Sequence, residues 1–186
     1  MPDLFGNFAA SPRPTQYTEA MADKVVAKLL PDVVTWLGND ATLGEADDLK
    51  AVVWPSYRTS PGLYYIGDGF ELAKELDWSG DSELVEIMDN ADSYFDEELK
   101  TAVREWVALN NIEPAFKFGD PVAVTGGHFN GKVGSIAAIY PLEAVYVVNI
   151  PSLGHAPLGA DGRPDTPNRC GTIGTHIPFE NVEARA

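Results

Sequence analysis

Residues 118 to 139 form a glycine-rich segment, FGDPVAVTGGHFNGKVGSIAAI, that constrains the fold of this chain more than any other stretch. Two runs with a β-strand pattern, Pro121–Val124 and Val133–Ile139, flank a turn region with four glycines in nine residues. Val122 and Val124 are two residues apart, which places both side chains on one face of a strand. Glycine is favoured where φ is positive or where backbone segments approach closely. The segment therefore predicts a β-hairpin.

The glycines and apolar residues of this segment follow a characteristic order. It reads Gly119-Asp120, Val122, Val124, Gly127, Phe129, Gly131-Lys132, Gly134 and Ile136. At these residues the sequence resembles the KOW motif of NusG-type transcription elongation factors and of several ribosomal proteins. In that family the motif forms the first hairpin of a small SH3-like barrel, so the resemblance implies such a barrel here. Because barrels of this kind serve many purposes, the resemblance is more specific for a fold than for a function.

Further strand patterns follow the hairpin. They are Ala144–Ile150, Thr172–Pro178 and Asn181–Glu183. Four or five short strands in this part of the chain suit a small barrel. Between them, Pro151 to Gly171 is rich in glycine, proline, aspartate and asparagine, and a long stretch of this kind is usually functional or disordered. We predict an SH3-like barrel of KOW type over residues 115–186, with a long loop at about 151–171.

The part of the chain before residue 115 has a helical pattern. Residues 1–14 lack periodicity and are predicted to be a flexible tail. The predicted helices cover 15–30, 31–38 with Pro31 in its first turn, 44–53 closed by Trp54-Pro55, 70–78, 82–91, and a strong last helix from Ser93 to Asn110. The last helix carries an apolar stripe of Phe95, Leu99, Val103, Trp106 and Leu109. The expected fold class is α+β, with an acidic helical domain over 15–114 followed by the barrel.

The net charge of −15 is concentrated in the N-terminal part of the chain. Residues 1–115 hold 22 acidic and 8 basic residues, whereas residues 116–186 hold 6 and 5. A field of this sign repels phosphate backbones and offers little of the counterion release that drives nucleic-acid binding. Direct binding to bulk DNA or RNA is therefore disfavoured, and a basic protein or nucleoprotein partner is favoured. The alternative is that the charge only keeps the surface soluble.

The expected location of this chain is the cytoplasm, without membrane attachment. No apolar run has the length of a membrane span, and the N-terminus lacks the pattern of a secretory signal. Cys170 is the single cysteine, so an internal disulfide is excluded, in keeping with a reducing compartment.

Three residues at the hairpin tip are candidates for partner binding. His128, Phe129 and Lys132 combine aromatic rings with a cation, a combination that can stack on a base or anchor a protein interface. In KOW domains the corresponding loop contacts RNA, nucleic acid or polymerase surfaces, so the resemblance implies a binding role here. The alternative is that Phe129 packs back on the barrel and Lys132 keeps the strand edge soluble.

The second candidate surface is an acidic helix face. It comprises Glu83, Glu86, Asp89, Asp92 and Asp96. These carboxylates are either a solvated helix face or a mimic of the phosphate charges of a nucleic acid. A calcium loop of EF-hand type is excluded, because counting from Asp89 places Tyr94 where that loop needs glycine.

Metal, nucleophile and nucleotide sites have little support in the sequence. His128, His155, Cys170 and His176 are the obvious side chains, but no close-spaced ligand pair such as CxxC or HExxH occurs. The glycine run is not a phosphate loop, because Val133 follows Lys132 and no helix comes next. We therefore predict no cofactor, no metal and no catalytic residue.

The sequence thus predicts a non-enzymatic adaptor that engages a protein or nucleoprotein partner of the transcription or translation machinery. One alternative is an acidic nucleic-acid mimic that inhibits a host nucleic-acid-binding enzyme, as phages and mobile elements use. A second is a non-catalytic subunit of an enzyme. The run FKFGD-x-V, from Phe116 to Val122, resembles the start of the SH3-like barrel in the β subunit of nitrile hydratases.

Overall fold

A computed structural model describes residues 11–38, 45–58, 82–155 and 174–185. In these ranges the elements are α1 (Glu19–Leu37), α2 (Glu45–Arg58), α3 (Ser82–Asn110), β1 (Pro121–Val124), β2 (Val133–Tyr140), β3 (Val145–Asn149), β4 (Thr175–Pro178) and β5 (Val182–Ala184). The fold class is α+β, as predicted. The predicted helix at 70–78, residues 1–10 of the predicted tail and most of the predicted loop at 151–171 lie outside the described residues. No helix of the described ranges is long and apolar enough to cross a membrane.

The described residues belong to two compact units. A helical unit is formed within residues 13–102, and a sheet unit within residues 11–12 and 103–185. The division falls inside α3, whereas the sequence placed the boundary at residue 114. The physical reason is that one helix supplies two cores. Phe95 is buried in the helical core, while Val103, Trp106 and Val107 are buried in the core of the sheet unit.

Helix α1 continues through Pro31, where the sequence predicted two separate helices. Thr18 caps its N-terminus, since the Thr18 hydroxyl accepts a hydrogen bond from the Met21 amide at 3.3 Å. Proline within a helix has no amide hydrogen to donate and normally disturbs the helix. Here the Pro31 ring lies on the exposed side, and Leu29 and Val33 on either side of it are buried in one core. Burial of both flanking residues favours one continuous helix.

Two other predicted helix boundaries are also absent. Helix α2 includes Pro55 and ends at Arg58, although the sequence predicted an end at Trp54-Pro55. Ser93 lies exposed inside α3 and caps nothing, because the buried residues Ala91 and Phe95 continue the apolar stripe across it.

The predicted end of α3 at Asn110 is correct. There Asn111 adopts a positive φ of 50°, and the Ile112 amide bonds the Val107 carbonyl at 3.1 Å. A residue in this left-handed conformation commonly terminates a helix, and asparagine tolerates it better than most residues. The helix therefore ends where its sequence supplies a suitable residue for the turn.

The last residue of the predicted α3 stripe is wrong. Leu109 is 81% exposed, and Val107 is buried in the sheet core instead. Val107 lies four residues after Val103 and Leu109 three after Trp106, and both spacings fit an apolar stripe, so the sequence pattern alone does not choose between them. The contact with the sheet makes that choice.

The five strands form one antiparallel sheet in the order β4-β3-β2-β1-β5. Strands β1 to β4 pair in sequence, and β5 returns to lie beside β1, with Val124 opposite Val182. The predicted hairpin is confirmed, with Ala123 opposite Val133. The sheet is not closed, because no pairing joins β4 to β5 among the described residues. The predicted SH3-like barrel is therefore not confirmed, and the unit is an open five-stranded sheet.

The sheet is nevertheless strongly curled. A 3₁₀ turn, Phe179–Asn181, joins its two edge strands: the Phe179 amide bonds the Ala144 carbonyl at 2.9 Å, and the Asn181 carbonyl accepts from Thr125 at 2.9 Å. In a flat sheet Ala144 and Thr125 would lie roughly 30 Å apart, from the usual strand rise and strand spacing. Three residues of 3₁₀ helix span only about 6 Å. The sheet therefore bends sharply.

The bend is located in β2. Its first residues pair with β1 and its later residues with β3. The register shifts between Ile136 and Ala138, as at a β-bulge, which bends the strand that contains it. The strand β2 therefore changes direction between the part that pairs with β1 and the part that pairs with β3.

The concave side of the sheet holds the core of the sheet unit, with Tyr146 fully buried. The Tyr146 hydroxyl accepts a hydrogen bond from the Phe116 amide at 3.0 Å and fastens the chain ahead of β1 to this core. Burial raises the pKa of Tyr146 above its ordinary value.

Candidate partner-binding surfaces

The loop between β1 and β2 is held by backbone hydrogen bonds. The Gly131 amide bonds the Val124 carbonyl at 2.8 Å, and the Val124 amide bonds the Lys132 carbonyl at 2.8 Å. Gly127 has a φ of 66° and begins a short 3₁₀ turn that runs to Phe129. Most side chains avoid this left-handed conformation, which glycine adopts without strain. The glycines thus form a compact loop that presents its side chains from a rigid base.

The three predicted tip residues have different surroundings. His128 and Lys132 are exposed, whereas Phe129 is half-buried and packs against the core of the sheet unit. The rings of His128 and Phe129 meet edge to face, with centroids 5.7 Å apart. Val133, next to Lys132, is 42% exposed. The part of the tip that a partner can reach is therefore a histidine, a lysine and a partly exposed valine, with the phenylalanine as their support.

The acidic face of α3 is exposed at all five predicted positions, Glu83, Glu86, Asp89, Asp92 and Asp96. An α-helix turns about 100° per residue, so these positions spread over about half of its circumference. They lie opposite the side that buries Leu84, Met88 and Phe95. The structure therefore brings these carboxylates together as the solvent side of one helix.

Two neighbouring acids of the same helix are neutralised by lysines of α1. Lys24 lies 2.9 Å from a carboxylate oxygen of Glu98, and Lys28 lies 3.0 Å from Glu98 and 3.3 Å from Glu97. Lys24 first, and then Lys28, lower the pKa of Glu98 below its ordinary value. The bonds to Glu98 and Glu97 raise the pKa of Lys28. These lysines were not considered in the sequence interpretation, although their spacing of four residues on one helix was the available signal.

Asp92 and Asp96, at the C-terminal end of the face, have no lysine or arginine partner among the described residues. The Tyr17 hydroxyl donates a hydrogen bond to Asp96 at 2.9 Å, and its ring lies 5.0 Å from that of Phe95. Burial and the bond to Asp96 raise the pKa of Tyr17. Desolvation of its carboxylate, and then repulsion from Asp96 one turn away, raise the pKa of Asp92, although the residue as a whole is exposed. The native structure therefore holds like charges close together at this point.

The histidines are not brought together into a site. His128 lies in the β1–β2 loop and His176 on β4, where its ring contacts Tyr140 at a centroid distance of 5.7 Å. His155 follows β3, and its Nδ1 accepts a hydrogen bond from the Ile150 amide at 2.9 Å. Burial lowers the pKa of His155. Cys170 lies outside the described residues, and within them no group of three His, Cys, Asp or Glu side chains could hold a metal ion.

Comparison with known proteins does not assign a function, so the candidate function depends on the surfaces described above. No protein-family model, curated protein or solved structure matches this chain.

Proposed function

We propose that this protein is a non-enzymatic binding protein whose acidic α3 surface engages a basic protein or nucleoprotein partner. One observation carries the proposal. Glu83, Glu86 and Asp92 are exposed on one helix, and no lysine or arginine side chain of the described residues pairs with them. The lysines of α1 are instead paired with Glu97 and Glu98. These three carboxylates, Glu83, Glu86 and Asp92, therefore keep their negative charge available for a ligand.

A basic partner would relieve the repulsion that this face carries. Carboxylates on a packed helix lose little further freedom on binding, and their field steers an oppositely charged surface during encounter. Interactions between exposed charges weaken as salt is added, since the screening length falls to about 8 Å at physiological ionic strength. The expected signature is a salt-dependent association rate.

The test begins with affinity capture from the native host's lysate, at low and at high salt and after nuclease treatment. Nuclease treatment distinguishes a protein partner from a bridging nucleic acid. The captured partner is then titrated with the full chain and with a fourfold variant, Glu83→Gln, Glu86→Gln, Asp89→Asn and Asp92→Asn. We expect the variant to bind at least roughly tenfold more weakly at low salt, and to show a weaker salt dependence.

A matched control removes the same charge elsewhere. Asp32, Asp47, Asp48 and Glu113 are exposed in the structure, and their amide variants together change the net charge by the same amount. We expect this control to bind nearly as tightly as the unaltered chain. Equal losses in both variants would show that only net charge matters. Unchanged binding by the α3 variant would refute a role for this face.

The sheet unit supports a second candidate, in which a KOW-type SH3-like barrel binds through its hairpin tip. The observations that favour it are the return of β5 to β1, the sharp curl of the sheet and the exposure of Lys132 at the tip. The double change Phe129→Ala, Lys132→Glu removes the aromatic support and reverses the charge. Loss of the captured partner in this variant, and in Lys132→Glu alone, would favour the tip over α3.

Mimicry of nucleic acid is a more specific version of the first candidate function, in which the acidic α3 surface binds a basic partner. It predicts that DNA or RNA competes with this chain for the captured partner. Absence of competition, with binding still dependent on α3, would leave a basic protein surface as the ligand without mimicry.

A further inference from the structure

The turn that follows β3 is closed by a histidine. Residues Pro151–Leu153 form a single 3₁₀ turn in which the Leu153 amide bonds the Ile150 carbonyl at 3.0 Å. Gly154 has a φ of 79° and reverses the chain, with its amide 2.9 Å from the Pro151 carbonyl. His155 then returns to the start of the turn, where its Nδ1 accepts the Ile150 amide at 2.9 Å.

This hydrogen bond exists only for neutral imidazole. A neutral ring has one nitrogen that accepts and one that donates, whereas both nitrogens of the protonated ring donate. Protonation at Nδ1 would therefore place two donors, the imidazolium and the Ile150 amide, against each other. The Ile150 side chain is fully buried in the sheet core, so its amide has little access to water as a substitute acceptor.

We propose that His155 is a pH-sensitive latch, which closes the turn after β3 while its ring is neutral and releases that turn when the ring is protonated. The latch couples the end of a core strand to the protonation of one side chain. It is independent of the acidic face of α3 and of the hairpin tip, and does not rest on the function proposed above.

Among the residues that the structure describes, the elements around His155 bring few charges to it. The residues opposite the end of β3 are neutral: Ser135 on β2 faces Asn149, and Thr175 on β4 faces Val148. The titratable groups nearest along these strands are Tyr146, whose hydroxyl is bonded to the Phe116 amide, and exposed His176. Helix α3, in the same core, carries Arg104 and Glu105 near its end, and Arg104 is paired with Glu143 at 3.1 Å.

The pH window follows from the direction of the pKa shift. Burial lowers the pKa of His155 below its ordinary value of 6.5, and no charge of a described residue contributes to that shift. The unfolded chain therefore takes up this proton at a higher pH than the folded chain does. The stabilising effect of the latch is complete above the ordinary value and is lost as pH falls through the lowered pKa of the folded state.

The experiment follows the Ile150 amide and the His155 ring in the full chain by NMR. Between about pH 8 and about pH 5, the ring nitrogen shifts give the His155 pKa and show whether Nδ1 is the accepting nitrogen. Hydrogen exchange of the Ile150 amide, corrected for its intrinsic pH dependence, gives the protection factor. We expect protection to fall roughly three- to tenfold, the range for loss of one hydrogen bond, with the same midpoint as the His155 titration.

Two substitutions separate the latch from a structural role of the side chain. His155→Asn keeps an acceptor near the Nδ1 position and should keep the Ile150 amide protected at every pH. His155→Phe removes the acceptor and should lose that protection at every pH. His128→Asn and His176→Asn are controls that should leave the pH response unchanged. The proposal is overturned if the Ile150 protection stays constant while His155 titrates, or if His155→Asn retains the pH response.

Discussion

The hairpin requires glycine at positions 134 and 127 for two different physical reasons, and substitutions at the two positions can distinguish them. A Cβ added at Gly134 would collide with the backbone oxygen of Asn149 on β3 and would lie 2.9 Å from Val148 Cγ1. At Gly127 an added Cβ would meet nothing within 4 Å, but the residue has a φ of 66°. The first glycine is therefore needed for close approach between strands, and the second for its backbone conformation.

The expected free-energy costs follow from this difference. Gly134→Ala forces β2 and β3 apart, and because the obstacle is backbone it should destabilise the sheet unit by about 3 kcal/mol. Gly127→Ala should cost about 1 kcal/mol for the left-handed conformation alone. Asparagine tolerates that conformation better than other residues, so Gly127→Asn should recover part of the loss. Gly134→Asn should be at least as damaging as Gly134→Ala, because it adds more atoms at the same place.

The assay must report on the sheet unit alone, because the chain has two units that need not unfold together. Urea unfolding followed through the NMR amide signals of β2 and β3 meets this requirement. The order of stability should be the unaltered chain, Gly127→Asn, Gly127→Ala, then Gly134→Ala. A Gly134→Ala variant within about 0.5 kcal/mol of the unaltered chain would refute the close packing of β2 on β3. Equal behaviour of asparagine at both positions would refute the distinction between them.

Three further predictions concern stability and are measured by urea or thermal unfolding. Asp92→Asn should stabilise the helical unit at neutral pH by roughly 0.2–0.5 kcal/mol, as for a like-charge pair one turn apart. Because the pKa of Asp92 is raised in the fold, this gain should vanish as pH falls below the ordinary value of 3.8, and a constant gain would contradict the charge argument. Tyr146→Phe removes the acceptor of the Phe116 amide. It should cost about 1 to about 2 kcal/mol, and an unchanged stability would show that the bond contributes nothing. Phe95→Ala, at a fully buried site, should cost about 3–5 kcal/mol. Leu109 on the same helix is 81% exposed. Leu109→Ala should therefore cost less than about 0.5 kcal/mol, and equal costs at these two positions would contradict their placement.

The strands were predictable because their signals are local. Alternating apolar residues and turn glycines lie within a few positions of each other, and β1 occupies the predicted residues Pro121–Val124. The helix breaks were less predictable, because proline and serine signals compete with burial. Pro31 lies inside α1 and Ser93 inside α3, since continuous apolar stripes hold these helices together.

Some features of the candidate surfaces could likewise be predicted from local sequence, and others could not. Exposure of the acids on α3 could be predicted from their place opposite the apolar stripe. Their compensation could not, because Glu98 is paired by Lys24, a residue distant in sequence. The half-burial of Phe129 also depends on the sheet core and not on the loop sequence. The bond from the Ile150 amide to His155 spans few residues, but it forms only because the intervening turn reverses the chain.

The sequence by itself determined the α+β class, the strand hairpin and the concentration of negative charge ahead of residue 115, because periodicity, glycine conformation and charge are properties of short segments. Tertiary structure decided which of the described carboxylates pair with a lysine, where the sheet bends, and that α3 supplies residues to two cores. These features depend on which distant residues meet. Since such contacts are selected by the packing of the whole chain, no local pattern records them.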